Sequence, residues 1–184
     1  MVPKKIGIFL AAVLILFTIA VLNSDKDWRT ASREPAGILP DPKTSHEAVL
    51  SVLGANAWGW RGWFAIHTWI AAKKTDESAY TVYDVVGWRG HHGRSVLGIY
   101  KDIPDRYWYG SRPELIKLKK GKGVDALIDK VDKAAKAYPW KNSYKAFPGP
   151  NSNTFTAWVG LQVPELEIDL PFSAIGNGYA DKKP

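Results

Sequence analysis

The stretch FAIHTWIAA, residues 64–72, decides the fold of this chain. Its side chains alternate in character, and successive residues of a β-strand point to opposite faces of a sheet. One face carries Phe64, Ile66, Thr68 and Ile70, and the other carries Ala65, His67, Trp69 and Ala71. The alternation therefore predicts a strand, and the neighbouring sequence indicates how that strand is paired.

The predicted strand is followed by a second strand and then by several more. A polar turn over residues 73–78 leads into residues 80–88, which are rich in Tyr and Val. A short turn between two such segments favours an antiparallel hairpin. Further strands are predicted over residues 48–53, 95–101, 107–109 and 114–118, with an aromatic connection over 55–63 and a loop over 88–94.

Two helices follow the predicted strands. Val124, Leu127, Ile128 and Val131 fall at helical spacing, which predicts an amphipathic helix of about four turns that ends before Pro139. A last helix is predicted from about residue 153 to 161. A run of antiparallel strands followed by two main helices indicates the α+β class, with the helices packed on the sheet.

The N-terminus predicts a membrane anchor. Residues 6–22 contain no charged side chain, and a helix of that length spans roughly 25 Å, close to the thickness of a bilayer core. Lys4 and Lys5 precede it, which predicts a single-pass protein of the bacterial inner membrane with its C-terminal domain in the periplasm. A cleaved signal peptide is the alternative. Residues 1–22 are thus assigned to the anchor, 23–46 to a linker and 47–184 to one domain with a C-terminal tail.

The composition of the chain excludes several kinds of reactive or metal-binding site. The 184 residues include no cysteine, which excludes disulfides, thiolate metal ligands and a cysteine nucleophile. The formal net charge is +7, and part of it lies in a basic run at residues 117–122. That run is either a solvated turn or a contact for anionic lipid. We expect no cofactor, no metal and no nucleic acid partner; the expected partners are the lipid bilayer, through residues 6–22, and possible inner-membrane protein complexes.

His67 is the histidine best placed for chemistry. It lies in the middle of a predicted strand, where a buried imidazole needs a hydrogen-bond partner. The register of the hairpin places Asp84 near it, and a carboxylate there would orient the ring as in a catalytic triad. A shift of one residue would place Tyr83 there instead. A core histidine bonded to a backbone carbonyl or to a tyrosine is the structural alternative.

The segment FPGPNSNTF, residues 147–155, holds a candidate nucleophile. Small polar residues before an apolar helical run are typical of a helix N-cap. Free amides and the helix dipole at such a terminus also stabilise developing negative charge, so Ser152 is a candidate nucleophile with Asn151 and the helix amides as oxyanion donors. A serine needs a nearby base, and His67 is the candidate.

The tryptophans of the aromatic connection are candidates for substrate binding. Trp58, Trp60 and Trp63 would line a groove for a glycan or an acyl chain, with Trp69 on the His67 face of the strand. Packing of a glycine-rich corner is the structural alternative.

Together these segments resemble a bacterial family of unknown function. The resemblance covers residues 47–180, and its most specific block is GPNSNTF, residues 149–155. The blocks that carry it are AWGWRGWFAIHTWI at 57–70, YDVVGW at 83–88, RPEL at 112–115, GPNSNTF at 149–155 and AIG at 174–176.

A more distant resemblance is to the circularly permuted papain-like hydrolases and acyltransferases, the group that includes lecithin:retinol acyltransferase-like proteins. In that group a strand histidine comes first and a cysteine at a helix start comes last; Ser152 stands where the thiol is expected. The resemblance implies a permuted papain-like fold. We expect a non-catalytic binding module or accessory subunit of an inner-membrane assembly. The alternative is a serine-dependent amidase or esterase acting on an acyl or peptide substrate of the cell envelope.

Overall fold

The structure, a computed structural model, describes residues 4–22 and 27–182. The first four residues of the predicted linker, 23–26, lie outside the described residues. Residues 1–3 and 183–184, at the two ends of the chain, also lie outside them. The helices are α1 (Lys4–Leu22), α2 (Gly87–His91), α3 (Val124–Lys136) and α4 (Ser152–Gln162). The strands are β1 (Val49–Asn56), β2 (Ile66–Lys73), β3 (Thr81–Val85), β4 (Leu97–Lys101) and β5 (Glu114–Lys120).

The five strands form one antiparallel sheet in the order β4-β3-β2-β1-β5. The predicted hairpin is β2–β3, with Ile70 opposite Tyr83. β1 and β2 occupy the centre, and nearly every residue of both strands is buried. The α+β class and the antiparallel sheet expected from the sequence are confirmed.

One face of the sheet is covered by α3 and α4. Apolar residues of both helices, such as Val131 and Phe155, pack against the even-numbered positions of β2, including Ile70. A polar contact adds to this layer: Thr68 Oγ1 lies 3.0 Å from Asn153 Oδ1 and 2.9 Å from Thr156 Oγ1, both on α4. The start of α4 is thereby fixed at the beginning of β2.

The other face is covered by loops. Trp69 packs there and donates from Nε1 to the Pro104 carbonyl over 2.8 Å. Residues 35–40, which the sequence assigns to a linker, lie against the same face: Asp105 accepts from the backbone N–H groups of Ile38 and Leu39. Tyr80 donates to the Pro40 carbonyl. Leu39 of this segment packs against the apolar core on the His67 side of the sheet.

Three predicted elements differ from the structure. Residues 107–109 form no strand, because the chain turns there: Tyr109 has a φ of +49°, and only an isolated bridge joins Trp108 to Ser111. The second strand ends at Val85, and the predicted loop after it begins with α2. The aromatic connection contains a 3-10 turn over Gly59–Trp63, and β2 starts at Ile66 instead of Phe64.

Within the part of the chain that the structure describes, no helix is long and apolar enough to cross a membrane, so the predicted anchor is not confirmed.

Candidate functional site

The polar run Asn151–Thr154 builds the start of α4. Asn151 is the N-cap, and its Oδ1 accepts from the backbone N–H groups of Asn153 and Thr154 over 3.0 and 3.1 Å. Thr154 Oγ1 returns the contact by accepting from the Asn151 N–H. This reciprocal arrangement is a capping box, which satisfies amides that have no partner inside the helix. It places Ser152 at the first helical position.

The Asn151 side chain has no hydrogen left for a substrate. Its Nδ2 donates to the carbonyls of Ala146 and Ile175, each over 3.0 Å. An amide group carries two donor hydrogens, so both are used. Gly176 lies against the Asn151 side chain and leaves no room for a Cβ, since a Cβ there would lie 2.3 Å from Asn151 Nδ2. The φ of Gly176 is +93°, which also favours glycine. The oxyanion role expected of Asn151 is therefore not available to its side chain.

Ser152 lies at the floor of a cleft of about 570 Å³. The residue is 4% exposed and is one of those that line the cleft. Among the described residues, neither Ser152 Oγ nor the Ser152 backbone N–H has a hydrogen-bond partner. The hydroxyl and one amide at the positive end of a helix are thus both free to contact a bound molecule.

His67 lines the same cleft from β2 and is paired with Asp84. His67 Nε2 lies 2.9 Å from Asp84 Oδ1, and both side chains are buried. The atoms are close enough for an ion pair, although the angles of a hydrogen bond are not met. Because Nε2 faces Asp84, Nδ1 is the ring nitrogen that remains for a molecule in the cleft.

The sheet register explains this pairing. Ile70 stands opposite Tyr83, so one step further along the ladder places Asp84 opposite Trp69 and diagonal to His67. Diagonal neighbours on one face of a sheet are within reach of long side chains. Tyr83 points to the other face, where its hydroxyl contacts Asp132 Oδ1 at 3.5 Å. The structure thus brings Asp84 to His67 and leaves Tyr83 away from it.

A chain of polar contacts supports Asp84 from behind. Tyr100 donates to Asp84 Oδ2 over 3.4 Å, and Arg106 donates to the Tyr100 oxygen over 3.3 Å. Arg106 is itself paired with Asp102. Burial first, and the Asp84 carboxylate second, raise the pKa of Tyr100 above its usual range. The hydroxyl therefore stays protonated at neutral pH and can donate to Asp84.

The imidazole of His67 is also held by aromatic stacking. The Trp108 ring lies parallel to it, with centroids 3.6 Å apart and an interplanar angle of 8°. Trp69 stacks at 5.8 Å from the ring, and Trp88 stacks on Trp108. This stacked column fixes the orientation of the imidazole ring. Sequence reasoning missed Trp88 and Trp108, because their approach to His67 depends on how distant loops fold.

Seven of the 21 residues that line the cleft are Trp, Tyr or Phe. Two of the predicted binding residues, Trp58 and Trp60, are among them. Trp63 is 69% exposed and is not part of the wall, and Trp69 is a core residue at 3% exposure. The aromatic residues that line the cleft are Trp58, Trp60, Phe64, Trp88, Trp108, Tyr144 and Phe147.

Arg61, His91 and Tyr144 are further polar residues in the lining of the cleft. Burial, and then the charge of Asp84, raise the pKa of Tyr144, while the nearby Arg61 lowers it. Its hydroxyl therefore stays protonated at neutral pH and is a possible donor to a bound molecule. His46 lies elsewhere, paired with Asp76 on the surface. Across residues 4–22 and 27–182 no cluster of three or more His, Asp or Glu side chains is arranged to hold a metal ion.

Comparison with known proteins identifies the family but not an activity. A family model described as "Protein of unknown function (DUF3750)" matches residues 47–179. The match spans most of the chain, so this protein belongs to that family. No curated protein and no solved structure matches the chain.

Proposed function

We propose that this protein is a serine-dependent acyl hydrolase, an amidase or esterase. The observation that carries the proposal is the buried His67–Asp84 pair, whose histidine lines a cleft that is also lined by Ser152 at a helix N-terminus. A buried carboxylate and imidazole are costly to desolvate, and such pairs concentrate at functional sites.

The proposed reaction uses each group in turn. Ser152 Oγ attacks the acyl carbonyl carbon while His67 Nδ1 takes the serine proton, and Asp84 stabilises the resulting imidazolium. The carbonyl oxygen becomes an oxyanion near the Ser152 N–H at the start of α4. His67 then gives its proton to the leaving amine or alcohol as the acyl–leaving group bond breaks. Water, deprotonated by His67, hydrolyses the acyl-serine and regenerates the enzyme.

The proposed proton transfer requires a contact between Ser152 Oγ and His67 Nδ1. In the described part of the chain Ser152 Oγ makes no hydrogen bond to His67. Catalytic contacts are often long in the absence of substrate and tighten when it binds. We therefore expect the acyl substrate to bring the serine hydroxyl and His67 Nδ1 into contact.

The order of the site residues supports a permuted papain-like arrangement. His67 lies on the second strand and Ser152 begins the last long helix, so the base comes before the nucleophile in the chain. α4 packs directly against β2 through Thr68 and Thr156. Oxygen replaces the usual sulfur at the nucleophile position, so this proposal includes a serine that is activated by a His–Asp pair.

Labelling with a fluorophosphonate tests the hydrolase proposal. We expect a covalent adduct on Ser152 of the wild-type protein, and no adduct in Ser152→Ala or His67→Ala. Ser143→Ala, which changes an exposed serine, is the matched control and should label like the wild type. Circular dichroism shows that each variant is folded. A wild-type protein that carries no Ser152 adduct would contradict the proposal.

A non-catalytic binding module is the second candidate. It is favoured by the aromatic wall of the cleft together with the missing contact between Ser152 and His67. An accessory subunit of this kind would be recovered with a stoichiometric protein partner in mild detergent, and the recovery would be unchanged in Ser152→Ala. Loss of the partner on changing Trp58 or Trp60 would place the binding surface at the cleft.

We also propose that the protein is attached to the bacterial inner membrane, with the domain on the periplasmic side. Support comes from the uncharged segment 6–22, which is helical and exposes Ile8, Phe9 and Leu14. Membrane fractionation followed by an alkaline carbonate wash tests this. Release of the full-length protein by the wash would contradict attachment through residues 6–22.

A further inference from the structure

A second, smaller cavity lies behind the His67–Asp84 pair. Its volume is about 200 Å³, and it is separated from the cleft by Val86, Trp88 and Trp108, which line both spaces. The residues that close it are mainly basic or phenolic. Its remaining lining residues are Arg33, Asp84, Arg89, Tyr100, Arg106, Tyr107 and Tyr109.

Positive charge is in excess around this cavity. Arg106 is neutralised by its ion pair with Asp102. Arg33 and Arg89 form no ion pair with any described residue: Arg33 donates to the Trp28 carbonyl and Arg89 to the Ser95 carbonyl. Asp84 is the one carboxylate in the lining, and its two oxygens face His67 and Tyr100.

The two free guanidinium groups are held in place by aromatic rings. Arg33 lies over the Tyr109 ring at 4.3 Å, and Arg89 lies over the Tyr100 ring at 5.9 Å. Stacking of this kind fixes the plane of a guanidinium and leaves its edge free to donate hydrogen bonds. Two such groups at one small, partly enclosed cavity form a preorganised donor set.

We propose that this cavity binds a small oxyanion, a phosphate or a carboxylate. Planar guanidinium groups bind these anions through paired hydrogen bonds, and the interaction is stronger where water is partly excluded. One added negative charge would balance the charge that Arg33 and Arg89 carry beyond Asp84. The small volume selects a compact anionic group over a large ligand. The site is separate from Ser152 and does not depend on the hydrolase proposal.

Titration of the full chain in neutral detergent tests the site. Inorganic phosphate and acetate are added separately at constant ionic strength, and the melting temperature and tryptophan fluorescence are followed, since Trp88 and Trp108 line the cavity. We expect saturable binding of at least one anion. The double variant Arg33→Gln/Arg89→Gln should weaken that binding about tenfold or more, since it removes two charge-assisted donors.

The control is Arg94→Gln/Arg112→Gln, which removes the same charge from two exposed positions. It should bind as the wild type does, and so should Ser152→Ala. If the double variant at the cavity does not fold, Arg33→Lys and Arg89→Lys keep the charge but lose the paired geometry, and each should still bind more weakly. No saturable effect, or an equal loss in the control, would overturn the proposal.

A further titration, with glycerol 3-phosphate, distinguishes a phosphate ester from a free anion as the ligand. Glycerol 3-phosphate carries the phosphate of a lipid head group on a small alcohol. Binding of glycerol 3-phosphate as tight as that of inorganic phosphate supports a head group or another phosphate ester. Binding of inorganic phosphate or acetate alone supports a free anion.

Discussion

His67 has three features that a core histidine does not need. It faces a buried carboxylate, stacks flat on Trp108 and lines an open cleft. A structural histidine is usually satisfied by one carbonyl or hydroxyl, and no such bond to His67 exists among the described residues. The ring is thus positioned by charge and stacking, which favours a role in proton transfer.

Asp84→Asn tests the orienting role of the carboxylate. An amide retains the size of the side chain but removes the charge that stabilises the imidazolium, so we expect the rate of fluorophosphonate labelling at Ser152 to fall by about 100-fold or more. Asp169→Asn, at an exposed position, is the matched control and should leave the rate unchanged. An unaltered rate in Asp84→Asn would remove Asp84 from the mechanism.

Sequence reasoning located these residues because each follows from a local pattern. Alternation in β2 set the face of His67, the short turn set its distance from Asp84, and the polar run before an apolar segment placed Ser152 at a helix start. The supporting residues could not be found in this way. Tyr100, Arg106 and Trp108 reach the site from β4 and from the loop after it, and their approach depends on tertiary packing.

At the scale of elements, the N-terminus of α4 both caps the helix and joins it to neighbouring segments. The four polar residues Asn151–Thr154 exceed what a cap requires, and the structure gives the side chains of all of them except Ser152 a hydrogen-bond partner. Asn153 Nδ2 donates to the carbonyls of Ile66 and Ile175, and Thr154 Oγ1 donates to the Gly176 carbonyl. The run joins the helix to β2 and to the C-terminal tail, and Ser152 alone is left without a side-chain bond.

Asn151→Ala should therefore destabilise the domain by at least about 2 kcal/mol. It removes the cap and leaves the carbonyls that Asn151 Nδ2 contacts with fewer donors. Urea denaturation measures the free energy of unfolding, and Asn142→Ala, at an exposed position, is the control with an expected change below about 0.5 kcal/mol. Equal stability of the two variants would show that the cap does not stabilise α4.

Elements were predicted best where the pattern was long and periodic. β1, β2, α3 and α4 all form close to the expected residues. Side-chain alternation indicated β2, helical spacing indicated α3, and the polar run before an apolar segment indicated α4. The errors lie in short aromatic segments. Residues 107–109 read as a strand from their composition, but Tyr109 turns the chain, and the loop then packs Trp108 on His67.

At the scale of the whole molecule, buried tyrosines make the fold sensitive to alkali. Burial, and then the carboxylates of Asp105, Glu47 and Asp41, raise the pKa of Tyr80 to about 12. A raised pKa in the folded state stabilises the protein fully below the unfolded value, near 10, and this contribution is lost as pH rises towards 12. Burial also raises the pKa of Tyr83, Tyr100 and Tyr138.

We therefore expect the free energy of unfolding to fall between pH 10 and 12. Tyr80→Phe should lower stability at pH 8, where the bond to the Pro40 carbonyl is lost, yet reduce the further decrease above pH 10. Urea denaturation at pH 8, 10 and 11.5 on both proteins measures the difference. A parallel decline in the two proteins would show that Tyr80 does not contribute to the alkaline loss.

The loops that cover one face of the sheet determine at which residue a stable fragment of the domain can begin. The family match begins at residue 47. Trp69 and Tyr80 are partly covered by residues 35–40, which form hydrogen bonds to Asp105 and to Tyr80. A fragment that starts at residue 47 would expose this apolar surface directly behind His67. Such a fragment would be prone to aggregate. Crystallisation and screening of the domain therefore call for a start before residue 35, even though recognition of the family does not depend on that segment.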